Sequence, residues 1–143
     1  MDAATNGVTD ESTKCIMVID SGLPVGLRVN TAGLLGATLG RRLEKIIGPD
    51  VVDASGENHV GILNVPLLIL SADAIKAIKE KAMKTNGLLI VDFTETAQRE
   101  VRYEDYAGKL AATPAGQLKY LGVALYGPKK AVNKLVGNLP LLH

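Results

Sequence analysis

The chain has 143 residues, of which 47% are hydrophobic and only 3% aromatic, with a formal net charge of +1. That length and composition suit one domain with an aliphatic core. The near-zero charge gives no bulk attraction to nucleic acid or a membrane surface, and a single cysteine excludes an internal disulfide.

Residues 1–13, MDAATNGVTDEST, are polar and acidic, unlike a signal peptide, and are expected to form a disordered N-terminal tail. A single α/β domain is expected over 14–143. No apolar run reaches the length of a membrane span, and a cytoplasmic location is the default expectation. Lys14–Asp20 is a short, β-branched apolar run, so it reads as a strand covered on both faces. Cys15 lies within it and is expected to be an inert buried thiol. Ser21–Gly26 is a turn, and Pro24 suits a helix start.

The following helix is expected to run to about Ile47. Ala32, Leu35, Leu39, Leu43 and Ile46 form its core stripe. Gly33, Gly36, Ala37 and Gly40 add a seam of small residues. A mid-helix glycine costs about 1 kcal/mol relative to alanine, so the seam calls for a reason. Close approach of another backbone is one; room for a ligand, or a homodimer seam, is another.

Val51–Asn64 carries the turn formers Asp53, Ser55, Gly56 and Asn58, with room for a short edge strand at Val51–Asp53. Asp53, Glu57 and His59 match no trusted metal-ligand spacing, and a solvated loop is expected, with no metal. His59 is kept as a ligand-binding candidate because loop histidines serve function more often than core ones. Val65–Leu70 is the second buried strand. Ser71 or Asp73 is expected to cap a helix to about Lys84, with Ile75, Ile78 and Ala82 inward and Lys76, Lys79, Glu80 and Lys81 outward.

Leu88–Asp92 is the third buried strand. Thr94 is the expected N-cap of a helix to about Ala112, in which Tyr103, Tyr106 and Leu110 make a core stripe. Leu118–Tyr126 is the fourth strand, ended by Gly127 and Pro128. A helix from Pro128 to about Val136 follows, and the closing LPLLH is expected to lie extended on the domain. Four strands alternating with helices predict one four-stranded mixed sheet with helices on both faces.

Ligands in such sheets gather at strand ends. Asp20 and Asp92 end two strands, and Thr94 and Thr96 lie just beyond the second. A carboxylate there can orient a water or an amine, while nearby hydroxyl and N–H groups hold a carbonyl. The alternative is that Asp20 and Asp92 only cap backbone groups. The Walker loop, the dinucleotide fingerprint, a Cys/His cluster and a nucleophile elbow are all missing, so no cofactor is expected.

Three segments carry a family resemblance: LPVGLRVNTAGLLGATLG at 23–40, VDFTETAQ at 91–98, and YLGVALYGPKKAVNKLVGNLPLL at 120–142. Together they resemble the domain of unknown function 2000 family, which is in turn similar in fold to the type II peptidyl-tRNA hydrolases. The resemblance implies a four-stranded mixed sheet and a site where Gly26–Asn30 meets Asp92–Thr96. Gly26 matches a glycine of the hydrolase loop, and Leu27 stands where the catalytic lysine is expected. Arg28 is its neighbour, and Asn30 lies near the glutamine position. Asp92 and Thr96 match an aspartate and a threonine after the third strand, while Phe93 and Thr94 replace a small pair. The expected site is therefore Asp92 and Thr96 as catalytic groups, with Gly26, Arg28, Asn30, Thr94 and His59 as ligand-binding groups. The expected activity is hydrolysis of a small ester or amide. A non-catalytic small-ligand binding module is the alternative, and peptidyl-tRNA hydrolysis the second alternative. The expected partner is a small molecule, with nucleic acid disfavoured and a homodimer open.

Overall fold

The computed structural model describes residues 12–143. The expected N-terminal tail, apart from Ser12 and Thr13, lies outside the described residues. In chain order the elements are β1 (Thr13–Asp20), α1 (Val25–Arg42), β2 (Val51–Val52), β3 (Asn58–His59), β4 (Leu67–Ala72), α2 (Ile75–Met83), β5 (Leu89–Thr94), α3 (Glu95–Arg99), α4 (Tyr103–Ala111), β6 (Tyr120–Pro128) and α5 (Lys129–Val136). Among the described residues, no helix is long and apolar enough to cross a membrane.

The main sheet has the order β4-β1-β6-β5. β1 pairs parallel with β4 and antiparallel with β6, which pairs antiparallel with β5. This is the expected four-stranded mixed sheet. β1 is buried from Cys15 to Ile19 because it has a strand on each side and a helical layer on each face. Cys15, Met17 and Ile19 meet Leu35 and Leu39 of α1. Ile16 and Val18 meet Ile75 and Ala82 of α2 and Val132 and Val136 of α5. Period-two alternation thus sorts one apolar run into two cores. The closing segment lies on the domain as expected. The Ser71 N–H donates to Pro140 C=O and the Leu142 N–H to Ile69 C=O, each at 2.9 Å, which covers the outer edge of β4.

Several boundaries move. α1 stops at Arg42; Leu43 leaves helical geometry, and a 3₁₀ turn over Glu44–Ile46 buries Ile46 by another route. Thr31 joins the buried stripe, and its hydroxyl is satisfied by donating to Leu27 C=O at 2.7 Å. β4 begins two residues later than expected and takes in Ser71, whose N–H finds Pro140. Ser71 is therefore no helix cap, and α2 starts without a side-chain cap. β6 runs on through Gly127 and Pro128, which pair with Lys14 and Thr13. The helix expected up to Ala112 is two helices, broken by extended backbone at Glu100 and Arg102.

The close approach inferred for the α1 glycines belongs elsewhere. Gly33 and Gly40 face open space, and only Gly36 abuts a side chain, that of Met17. The tight contact is at Gly122 in β6, where a Cβ would lie 2.8 Å from the Thr31 methyl and 3.1 Å from Ile19. α1 is thus seated on the sheet through a glycine in the strand beneath it. We expect Gly122→Ala to cost about 1–3 kcal/mol by overpacking. Gly40→Ala should instead stabilise by up to about 1 kcal/mol. Urea midpoints of the two variants check this. Burial pushes the Cys15 thiol up to about 11. Cys15 should therefore react with a disulfide reagent at neutral pH only at the rate the protein opens, and at once in denaturant.

Candidate functional site

β1, β4 and β5 run in one direction, opposite to or parallel with their neighbours as paired above, so Asp20, Ala72 and Thr94 end at the same side of the sheet. β5 is an edge strand. Along it lies a cavity of about 370 Å³, walled by Val91, Asp92 and Phe93 of β5, Leu34 and Thr38 of α1, and Tyr103 and Tyr106 of α4. Glu100, Val101 and Arg102, the residues between α3 and α4, close another side. The break between these helices therefore makes a wall that a single helix would not.

Asp92 is half-buried and paired. Its Oδ2 lies 3.1 Å from Lys79 Nζ, and that ammonium donates to the Tyr120 hydroxyl at 3.0 Å and sits 4.6 Å from the Tyr120 ring centroid. Lys79 was expected to face solvent; its long stem instead carries the charge back to the sheet. Burial pulls the Lys79 pKa down, but the Tyr120 hydroxyl and the Asp92 carboxylate outweigh it, and the net shift is upward. Lys79 stays charged and holds Asp92 as an oriented acceptor.

The tyrosines are also placed differently from the expected core stripe. Tyr103 is 78% exposed, and no residue of α4 is buried. The two rings meet edge to face, 5.4 Å apart, at the cavity wall. The Tyr106 pKa is raised, first by burial and then by the Asp92 and Tyr103 charges, with Lys79 opposing. Tyr106 is thus a neutral donor near the Asp92 carboxylate. The cavity therefore offers an apolar bed with a polar corner at Asp92 and Tyr106, and Glu100 and Arg102 on another side.

The remaining expected site residues are spread out. Thr94 is buried, and its Oγ1 accepts the Ala97 N–H at 3.2 Å, so it is the N-cap of α3 as expected and its hydroxyl is engaged there. Thr96 lies in α3 and is not among the cavity's walls. Gly26 and Asn30 are exposed on the first turns of α1. Arg28 donates to the main-chain oxygen of His143, and its buried Nε has no partner among the described residues. Leu27 packs against the α1-side core. Asp20 accepts the Gly22 N–H at 2.9 Å, the capping alternative. His59 lies in the β2–β3 hairpin, with Nε2 2.9 Å from Asp53 Oδ2. Glu57 completes an exposed trio whose ligand atoms lie within 4.8 Å of one another, the set from which a cation would draw ligands. Asp92 and the Gly26–Asn30 turn thus share one end of the sheet, but the turn does not line the cavity along β5.

A second cavity of about 670 Å³ lies where β1 and β4 end, between α2, α5 and the closing segment. Ser21, whose hydroxyl donates to Asp73, lines it with Lys81 and His143. None of the expected site residues lines it. Sequence reasoning missed Tyr106 at the first cavity, and Lys79 and Tyr120 behind Asp92. The only signal was a tyrosine pair at i, i+3 following a strand that ends in aspartate.

Two substitutions test the polar corner. Asp92→Asn removes a negative charge and should lower the Tyr106 pKa; Lys79→Met removes a positive one and should raise it. Alkaline titration of tyrosinate absorbance reads both. In the wild type the unfolded chain loses the Tyr106 proton first, so stability should fall as pH rises past the ordinary tyrosine value of about 10. The Lys79 contribution, complete below the unfolded lysine value, should be lost over a still higher range as pH passes the raised folded value.

Comparison with known proteins agrees with the fold. The chain matches the family described as "Protein of unknown function (DUF2000)" over residues 13–143. A solved structure of a protein of unknown function from Agrobacterium tumefaciens is similar, with a TM-score of 0.83 at 18% identity, covering 92% of this chain and 98% of that one. Comparison with curated proteins gives no match. With its family match spanning the whole sheet and every helix, the chain belongs to the DUF2000 family.

Proposed function

We propose that this is a small-ligand binding domain whose site is the cavity along β5. The observation that carries this reading is Asp92, oriented by Lys79, on the wall of a half-open, largely apolar cavity. Asp92 accepts from an amine, amide or hydroxyl of the ligand, and Tyr106 donates to a carbonyl. Phe93, Leu34 and the Tyr103 ring take the apolar body. The volume falls within the usual range for small-molecule pockets, about 300–1,000 Å³.

A hydrolytic reading for a small ester or amide draws on the same corner, with Asp92 orienting a water and neutral Tyr106 donating to the developing oxyanion. The binding reading is preferred because, among the described residues, no serine, cysteine or lysine lines the cavity, and its one threonine, Thr38, donates to Leu34 C=O. Thr94 is engaged as a cap, Thr96 lies off the walls, and Leu27, where the resemblance would place the hydrolase lysine, packs against the core. The resemblance to type II peptidyl-tRNA hydrolases supports the scaffold of this reading more than its chemistry.

The test is a fragment screen by protein-observed NMR, followed by an ester and amide turnover panel that includes peptidyl-tRNA. Binding should shift the amides of Val91–Phe93 and Tyr103–Tyr106. Asp92→Ala should weaken it at least tenfold without unfolding the protein. Fragments that bind only elsewhere would overturn the reading. Turnover lost in Asp92→Ala would replace it with the hydrolytic one.

A further inference from the structure

Residues 47–63 form an arm that leaves the body just beyond the C-terminal end of α1. Its base is tied by Asn64 N–H to Ile46 C=O at 2.7 Å and Gly48 N–H to Ile62 C=O at 2.8 Å. Its inside is held by two aspartates. Asp50 accepts from the Gly61 N–H and the Asn58 side chain; Asp53 accepts from the Ser55 and Glu57 N–H groups. The arm is therefore hydrogen-bonded internally, yet it has no core of its own. Adjacent strand residues point to opposite faces. Val51 and Val52 are both exposed, so the rest of the chain covers neither face. Val60 and Ile62 are 77% and 79% exposed.

A second bare apolar surface lies at the other end of α1. Val25 and Val29 are 68% and 64% exposed, beside an exposed Gly26. The charges of the two surfaces are complementary. The arm carries Asp50, Asp53 and Glu57. The start of α1 has no acidic residue in its first turn and no side-chain cap, so its free N–H groups present positive potential.

We propose that the occupant of both surfaces is a second copy of this chain. α1 has 18 residues, a length of about 27 Å. A two-fold axis across its middle sets the C-terminal end of one helix, with its arm, beside the N-terminal end of the other. Each arm then lays its valines and Ile62 against Val25 and Val29 of its partner, and its acids against the partner's helix start. The contact is made twice, as a closed isologous dimer requires.

Sedimentation velocity across a concentration series, in low and moderate salt, tests this. The wild type should form a dimer that weakens with salt. Val29→Asp and Ile62→Asp, both at exposed positions that leave the fold intact by circular dichroism, should each weaken it at least tenfold. Mixing separately purified Val29→Cys and Ile62→Cys proteins under oxidation should give a covalent dimer, with Cys15 buried and silent. A wild type that stays monomeric at every concentration overturns the proposal. So does a dimer unaffected by either substitution, or the absence of the mixed cross-link.

Discussion

The interaction on which everything else depends is the burial of β1. Five consecutive residues, Cys15 to Ile19, lose contact with solvent because strands flank them and helices cover both faces. Burying an aliphatic side chain of this size contributes roughly 1.5–3 kcal/mol. Backbone groups inside so apolar a layer must be paired, and β4 and β6 pair them on the two sides. That demand fixes the order of the sheet. It also leaves β4 and β5 as edges, which the molecule treats differently. The closing segment covers β4, whereas β5 borders a cavity.

The open edge shapes the candidate site. A strand at the edge of the sheet can keep a mid-strand carboxylate half in water. Asp92 is therefore both oriented by Lys79 and reachable from the cavity. The same edge position lets Tyr106 approach from a helix that buries nothing. The polar corner is a product of position in the sheet as much as of residue type.

Most of the scaffold was legible in the sequence. Each sheet strand announced itself as an apolar run, because both faces of the sheet are covered. The cap at Thr94 was legible because its chemistry is local. What depended on distant partners was not. Ser71 reads as a cap until Pro140 supplies an acceptor for its N–H, and Lys79 reads as surface until Asp92 lies within reach. The α1 glycines suggested close packing, yet the glycine that matters is Gly122, whose neighbour Thr31 is far away in the chain. The turn at Gly26–Asn30 and the strand end at Asp92 were joined through a family pattern. In the fold they lie at one end of the sheet, with Arg28 directed to the closing segment instead.

The pairing of β1 with β6 also constrains how the protein is made. Thr13 lies opposite Pro128, a separation of 128 − 13 = 115 residues. Closing so long a loop precedes most of the favourable contacts of the central strand, which makes for a slow folder among domains of this size. During synthesis, β1 emerges well before its antiparallel neighbour β6, with four strands and four helices made between them. Through that interval its apolar run has only β4 to pair with, as a parallel strand. Until β6 is made, the nascent chain thus carries an apolar run with one edge unpaired, and chaperone demand should follow from strand order rather than from overall hydrophobicity.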